Sequence, residues 1–134
     1  MSQKLDELIA DFEFLDDWEE RYRYVIELGR SLPPMNDALK TPATKVSGCA
    51  SQVWIYSTIE DNHLKLQGDS DALIVKGLIA IAFMIFEPLT LTEIGAVDTP
   101  SIFAKLGLKD HLTPQRSNGL ASMVARIKAD AKRG

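Results

Sequence analysis

Among the groups able to do chemistry in this 134-residue chain, Cys49 stands apart because it is the sole cysteine. It lies in Lys45-Val-Ser-Gly-Cys-Ala-Ser-Gln-Val-Trp-Ile55, a run of small residues that leads into a β-branched and aromatic stretch. Gly48 permits a positive φ or a close backbone approach, and Ser47, Ala50 and Ser51 leave space around the sulfur that bulky neighbours would fill. Such a loop can present a thiol at a protein surface. A free cysteine also serves as a small apolar filler in a core, so local chemistry leaves both roles open. A single thiol allows no internal disulfide, which suits a reducing cytosol.

Two other polar positions sit in defined contexts. Asp71, in Gly68-Asp-Ser-Asp71, is suited to capping the helix that follows, and Arg116, in Leu112-Thr-Pro-Gln-Arg-Ser-Asn-Gly119, to neutralising a neighbour near a helix start. No metal site is expected, because zinc needs four ligands and one Cys with the distant His63 and His111 has no ligand spacing. Either histidine could in principle act as a base for Cys49, but His63 falls on an expected strand and His111 in a loop. Both read as solvated surface residues. No GxGxxG, P-loop or GxSxG pattern occurs, so nucleotide binding and serine-hydrolase chemistry have no support.

The elements that must position these residues follow from periodicity. Leu5, Leu8, Ile9 and Phe12 keep the helical spacing of three and four behind a Ser2 cap. Asp16 and Glu19 suggest a capping box for a second helix, with Tyr22, Val25, Ile26 and Gly29 on one side and Pro33-Pro34 as its stop. Residues 35–45 read as irregular, with a short strand at 44–47. Val53 to Ile59, the turn Glu60-Asp61-Asn62 and His63 to Gln67 form an expected β-hairpin. Ala72 to Phe86 is apolar nearly all round and should be the central helix, closed by Pro88. Two short helices follow, one from a Thr90/Glu93 capping box and one from Thr99-Pro100 to Gly107. The last runs from Thr113-Pro114 to about Ala131 and buries Leu120, Val124, Ile127 and Ala131. Helices, then strands, then helices indicate an α+β domain spanning residues 1–134.

Composition limits the partners. With 46% hydrophobic and 25% charged residues the chain belongs with ordinary soluble domains. Fifteen basic against nineteen acidic residues give a net charge of −4, which argues against nucleic acid, since phosphate binding depends on clustered Lys and Arg. Arg126, Lys128, Lys132 and Arg133 read as a charge preference at a helix C-terminus. The start MSQKLDELIADFEF has acids where a secretory signal needs an apolar run, and Ala72 to Phe86 is shorter than the roughly 20 residues that span a bilayer. A cytoplasmic protein without a membrane partner is expected.

Three blocks in order, Val46-Ser-Gly-Cys-Ala-Ser-Gln-Val-Trp-Ile55, Gly68-Asp-Ser-Asp-Ala-Leu-Ile-Val-Lys-Gly-Leu-Ile-Ala80 and Leu112-Thr-Pro-Gln-Arg-Ser-Asn-Gly119, resemble the SufE family of sulfur-acceptor proteins. The resemblance runs from about residue 5 to the end. It implies a small antiparallel sheet packed with helices, as in the iron–sulfur scaffold proteins. It also implies that the chain accepts sulfane sulfur from a PLP-dependent cysteine desulfurase, stimulates that enzyme, and delivers the sulfur to an iron–sulfur cluster assembly scaffold. Such a chain is a sulfur-transfer partner more than an independent enzyme, and it needs no cofactor of its own, since PLP stays on the desulfurase. Cys49 matches the family's acceptor cysteine, with Gly48, Ser51, Asp71 and Arg116 as supporting positions. The related CsdE proteins share the cysteine loop, so the resemblance leaves open which desulfurase is served. The alternative is a non-catalytic interaction domain with Cys49 in its core. Val53-Trp54-Ile55 is expected to offer apolar cover for a resting thiol.

Overall fold

The longest apolar run becomes the centre of the molecule. In the computed structural model, which describes residues 3–15, 17–48, 51–108 and 112–133, helix α3 spans Leu73–Phe86 and buries every residue except Leu73, Lys76 and Met84. Each buried Leu, Ile or Phe side chain contributes about 1.5–3 kcal/mol relative to exposure, which makes this helix the main source of cohesion. Around it lie α1 (Gln3–Phe14), α2 (Trp18–Ser31) and the hairpin of β1 (Val53–Glu60) and β2 (His63–Ser70). Two short helices, α4 (Leu91–Ala96) and α5 (Thr99–Lys105), lead to α6 (Pro114–Lys132), which packs on α3, α4 and β1. The α+β class expected from the element order is the one observed.

α2 and α3 meet backbone to backbone. A Cβ on Gly77 would collide with the Val25 carbonyl oxygen, and one on Gly29 would lie 2.7 Å from the Gly77 nitrogen. Two glycines facing each other therefore set how closely the helices cross. Leu5, Leu8 and Phe12 of α1 are buried against the same core, as their spacing predicts.

The antiparallel hairpin pairs Val53 with Ser70 and Glu60 with His63. Its core face carries Val53 and Ile55 from β1 and Leu64, Leu66, Gly68 and Ser70 from β2. At Ser57 the inner face of β1 turns polar because it meets α6, where Ser57 Oγ donates to Asp130 Oδ2 at 2.7 Å. The turn closes on Asp61 and Asn62, both left-handed with φ of 51° and 63°, the pattern of a type I′ turn.

Several boundaries shift for local reasons. The helix α2 is capped by Asp17, whose carboxylate accepts from Glu19 N at 3.1 Å, not by the expected Asp16. Asp16 and the expected cap Ser2 lie outside the described residues. The strand expected at 44–47 shortens to one bridge, Lys45 with Trp54, and Asp37–Leu39 forms a 3₁₀ turn inside the stretch read as irregular. The Thr90/Glu93 capping box is present in both directions, and Thr113 caps α6 as expected. Helix α5 starts at Thr99-Pro100 as expected, with Asp98 as its cap. Leu120, Val124, Ile127 and Ala131 form the buried stripe of α6.

Candidate functional site

The candidate site is a loop, residues 47–52, closed by a short backbone stem. Val46 N donates to Val53 O and Ile55 N donates to Thr44 O, each at 2.8 Å, so residues 44–46 run antiparallel to the start of β1. Thr44 is buried and its hydroxyl donates to Leu39 O at 2.5 Å, which fixes the entry to the stem. Cys49 and Ala50 lie outside the described residues, and the site is defined by the residues on either side of them.

Gly48 has φ +88°. A Cβ there would also meet Ser122 Oγ of α6 at 2.5 Å, a contact that rotation of the hydroxyl can relieve, so the positive φ is what favours glycine. On the far side of the loop, Asp71 Oδ1 accepts from Gln52 N at 3.1 Å. This corrects the role expected for Asp71. The α3 N-cap is Ala72, with no side-chain cap, because β2 remains extended through Ser70 and the carboxylates of this turn face other partners. Ser70 Oγ accepts from Ala72 N at 3.3 Å, while Asp69 binds Lys40 at 2.8 Å and Lys76 at 3.3 Å.

Burial alone would raise the Asp69 carboxyl, but hydrogen bonds from Lys40, Ser70 N and Lys76 outweigh it and hold it below its ordinary value. The same bond from Asp69, with a second from Asp37, holds Lys40 above its ordinary value. The Lys40 ammonium also lies 5.4 Å from the centre of the Trp54 ring. Trp54 is thereby committed to the lysine, and Val53 and Ile55 are fully buried in the core. Of the three residues expected to cover a thiol, only Val53 reaches the floor of the loop.

That floor holds a narrow hollow of about 20 Å³ lined by Ser51, Val53, Val75, Leu78, Gln115, Arg116, Gly119 and Met123. Ser51 and Arg116 are thus brought to one place. Arg116 occupies the first turn of α6, its backbone N–H bound to the Thr113 cap at 3.3 Å. No carboxylate among the described residues pairs with its guanidinium. Gln115 and Arg116 both line this hollow, so the first turn of α6, the positive end of the helix, borders the loop floor.

His63 contributes nothing to this end of the hairpin. His63 pairs with Glu60 beside the turn, seven strand positions from Val53, or roughly 24 Å at strand spacing. It is half-buried, with Nδ1 2.9 Å from Leu89 O, and so is not the solvated residue expected from sequence. His111 lies outside the described residues. Among those residues no three His, Cys, Asp or Glu side chains converge on a metal-sized site. A surface hollow of about 490 Å³ lies near Pro33, Phe83 and Glu87 toward the other end of α3. No helix among the described residues is long and apolar enough to cross a membrane.

Sequence reasoning missed Gln52, Ser122, Arg126 and Asp130. Arg126 is no loose terminal charge, because its Nη2 donates to Ala43 O at 2.8 Å and its Nε to Asp130 Oδ1 at 3.3 Å. The signal was there in the four-residue spacing of Ser122, Arg126 and Asp130, which puts all three polar groups along one side of a helix.

Comparison with known proteins adds independent findings. Residues 6–131 match the model of the SufE family, described as an Fe-S metabolism associated domain. A SufE-like protein of Rhizobium meliloti is 52% identical over 132 residues, covering 96% of this chain and 94% of its own. One from Rhizobium etli is also 52% identical, covering 96% of this chain and 89% of its own. The solution structure of a hypothetical protein from Thermus thermophilus superimposes with a TM-score of 0.78 at 21% identity, covering 97% of this chain and 94% of that one. That last likeness concerns the fold.

Proposed function

Because this chain belongs to the SufE family, whose domain is associated with Fe–S metabolism, we propose that it is a sulfur acceptor and carrier that works through Cys49. The donor is the persulfide of a PLP-dependent cysteine desulfurase, which the chain stimulates by emptying its active-site cysteine. The recipient is an iron–sulfur assembly scaffold. The observation that carries this reading is a loop of small residues around a lone cysteine, fastened from outside by Asp71 and seated by Gly48 against Ser122.

The step resembles thiol–disulfide exchange. The Cys49 thiolate attacks the outer sulfur of the donor Cys–S–SH. A new S–S bond forms on Cys49, the donor S–S bond breaks, and the donor leaves as thiolate, which takes up the proton that Cys49 lost. The donor is reduced from persulfide to thiol and Cys49 is oxidised from thiol to persulfide, so no further redox partner is needed. A second cysteine in the chain would be harmful, because it could expel the sulfur as sulfide and close a disulfide.

With an ordinary thiol pKa near 8.5, only about 3% is thiolate at pH 7. The Arg116 guanidinium and the α6 N-terminus supply positive potential on the loop floor, which favours the thiolate. Docking on the desulfurase adds proximity. A reducing compartment such as the cytoplasm keeps the resting thiol free.

The test is intact-mass measurement after incubation with a PLP-dependent cysteine desulfurase and cysteine. A gain of about 32 Da, located to Cys49 and lost in Cys49→Ser, is expected. A Cys49→Ser variant that still stimulates the desulfurase fully would favour a non-catalytic interaction domain.

A further inference from the structure

We infer that α6 is the rail that sets the cysteine loop, with Ser122, Arg126 and Asp130 as positioning residues for sulfur acceptance. The inference rests on the sulfur-acceptor reading of Cys49. Its basis is a set of directed contacts between α6 and both sides of the loop stem. Arg126 Nη2 donates to Ala43 O at 2.8 Å, just before the stem. Ser122, one turn earlier, fills the space beneath Gly48 at the stem's other end. Asp130, one turn later, accepts from Ser57 Oγ of β1 at 2.7 Å.

Asp130 makes this arrangement stiff. Its residue is only 3% exposed, and a buried carboxylate is tolerated when its lone pairs are used. Here Ser57, Arg126 and Arg133 all donate to it. Arg126 is consequently held at two points of one planar fork, the Asp130 carboxylate and the Ala43 carbonyl. The strand that follows the loop is tied to α6 through Ser57, and the segment that precedes it through Ala43.

Burial does part of this work, since Val46 and Val53 of the stem share the core cluster with Met123 and Val124 of α6. Beside that core the stem and α6 border an open hollow of about 390 Å³ lined by Lys45, Val46, Ser47, Ser122, Ala125 and Arg126. Polar contacts at its edges add direction to the packing. An error in the separation of stem and α6 displaces the described ends of the loop at Gly48 and Gln52, and a misplacement of about 1 Å in a reacting group can cost up to a hundredfold in rate.

The test compares the full-length protein with Arg126→Gln, Arg126→Lys and Ser122→Val. Single-turnover transfer from a persulfidated desulfurase is followed by mass over a range of donor concentrations. Alkylation of Cys49 by iodoacetamide is followed in parallel without any donor. Arg126→Gln should lower the maximal transfer rate about tenfold, leave the half-saturating donor concentration within about twofold, and change the alkylation rate by about threefold or more. Arg126→Lys keeps the charge but not the fork and should recover part of the rate. Ser122→Val leaves the Arg126–Asp130 pair intact and should shift both readouts in the same direction, including where Arg126→Gln folds poorly. Wild-type maximal rates and alkylation in both Arg126→Gln and Ser122→Val overturn the inference, as does a defect confined to half-saturation. Should the unmodified protein gain no sulfur at all, the acceptor reading fails, and the alkylation measurements alone decide the positioning role.

Discussion

At one end of the hairpin, Asp61 and Asn62 reverse the chain through their own left-handed backbone, with a single outside bond from Leu91 N to Asn62 O at 3.0 Å. At the other end, the loop 47–52 depends on groups far away in sequence: Asp71 on Gln52, Ser122 under Gly48, and Arg126 on Ala43. The turn is self-sufficient because residue types that tolerate positive φ supply its whole geometry. The loop has few large side chains of its own and borrows its shape from neighbours. The described ends of such a segment are held by a handful of polar contacts from distant residues. The two ends should therefore respond oppositely to substitution, with chemistry lost at one and only stability altered at the other.

Gly48→Ala should have the largest effect. It forces a Cβ into left-handed backbone, at about 1–2 kcal/mol, and against Ser122 as well. Sulfur transfer is expected to fall about tenfold or more in single-turnover mass measurements, with a lower denaturation midpoint. Asp71→Ala comes next. It removes the acceptor for Gln52 N at the solvent edge, worth about 0.5–1.5 kcal/mol. Alkylation of Cys49 should accelerate while Asp71→Asn, which keeps an acceptor oxygen, stays near wild type. An unchanged alkylation rate in Asp71→Ala would show that this contact does not restrain the loop. Arg116→Ala should slow transfer with little loss of stability, and a slowing matched by the fall in denaturation midpoint would make Arg116 structural only.

Asp69→Asn tests the flank of the loop end, where Asp69 pairs with Trp54 in the hairpin register. The folded state holds this carboxyl below its ordinary value of 3.8, through Lys40, Ser70 N and Lys76. Its stabilisation is thus present above pH 3.8 and is lost as pH falls through the lower folded value. The variant should lower the thermal midpoint at neutral pH by a few degrees and flatten its dependence on acid. Parallel acid profiles for the two proteins would contradict the assignment. The smallest effect belongs to the turn. Asn62→Gly should stabilise by about 0.5 kcal/mol or less, because Asp-Gly suits a type I′ turn, with sulfur transfer unchanged. A transfer defect there would break the contrast between the two ends.

The same contrast explains how much could be read from the sequence. The hairpin turn, the Thr90/Glu93 box, the Thr113 cap and the α3 core announce themselves within a few residues, since turns, caps and apolar periodicity are local. Asp71 was legible as a polar residue before a helix but not as the acceptor for Gln52 N, a contact between residues 19 apart. Arg126 read as a terminal charge because nothing nearby in sequence reveals Ala43, 83 residues away. His63 was misread for the same reason, its partner Leu89 being 26 residues distant. Gly48 was correctly singled out for its backbone freedom, yet its neighbour Ser122 was invisible until α6 lay beside it.

The bond between Ser57 and Asp130 spans 73 positions, and that from Arg126 to Ala43 spans 83. During synthesis, residues 53–86 can pair and pack as soon as they emerge, because the hairpin and α3 are contiguous. Helix α6 emerges after the hairpin and α3. A nascent or truncated chain can therefore hold a hairpin and a core while its cysteine loop still lacks Ser122, Arg126 and Asp130. Under the sulfur-acceptor proposal, competence would then be acquired only once α6 has docked on the stem.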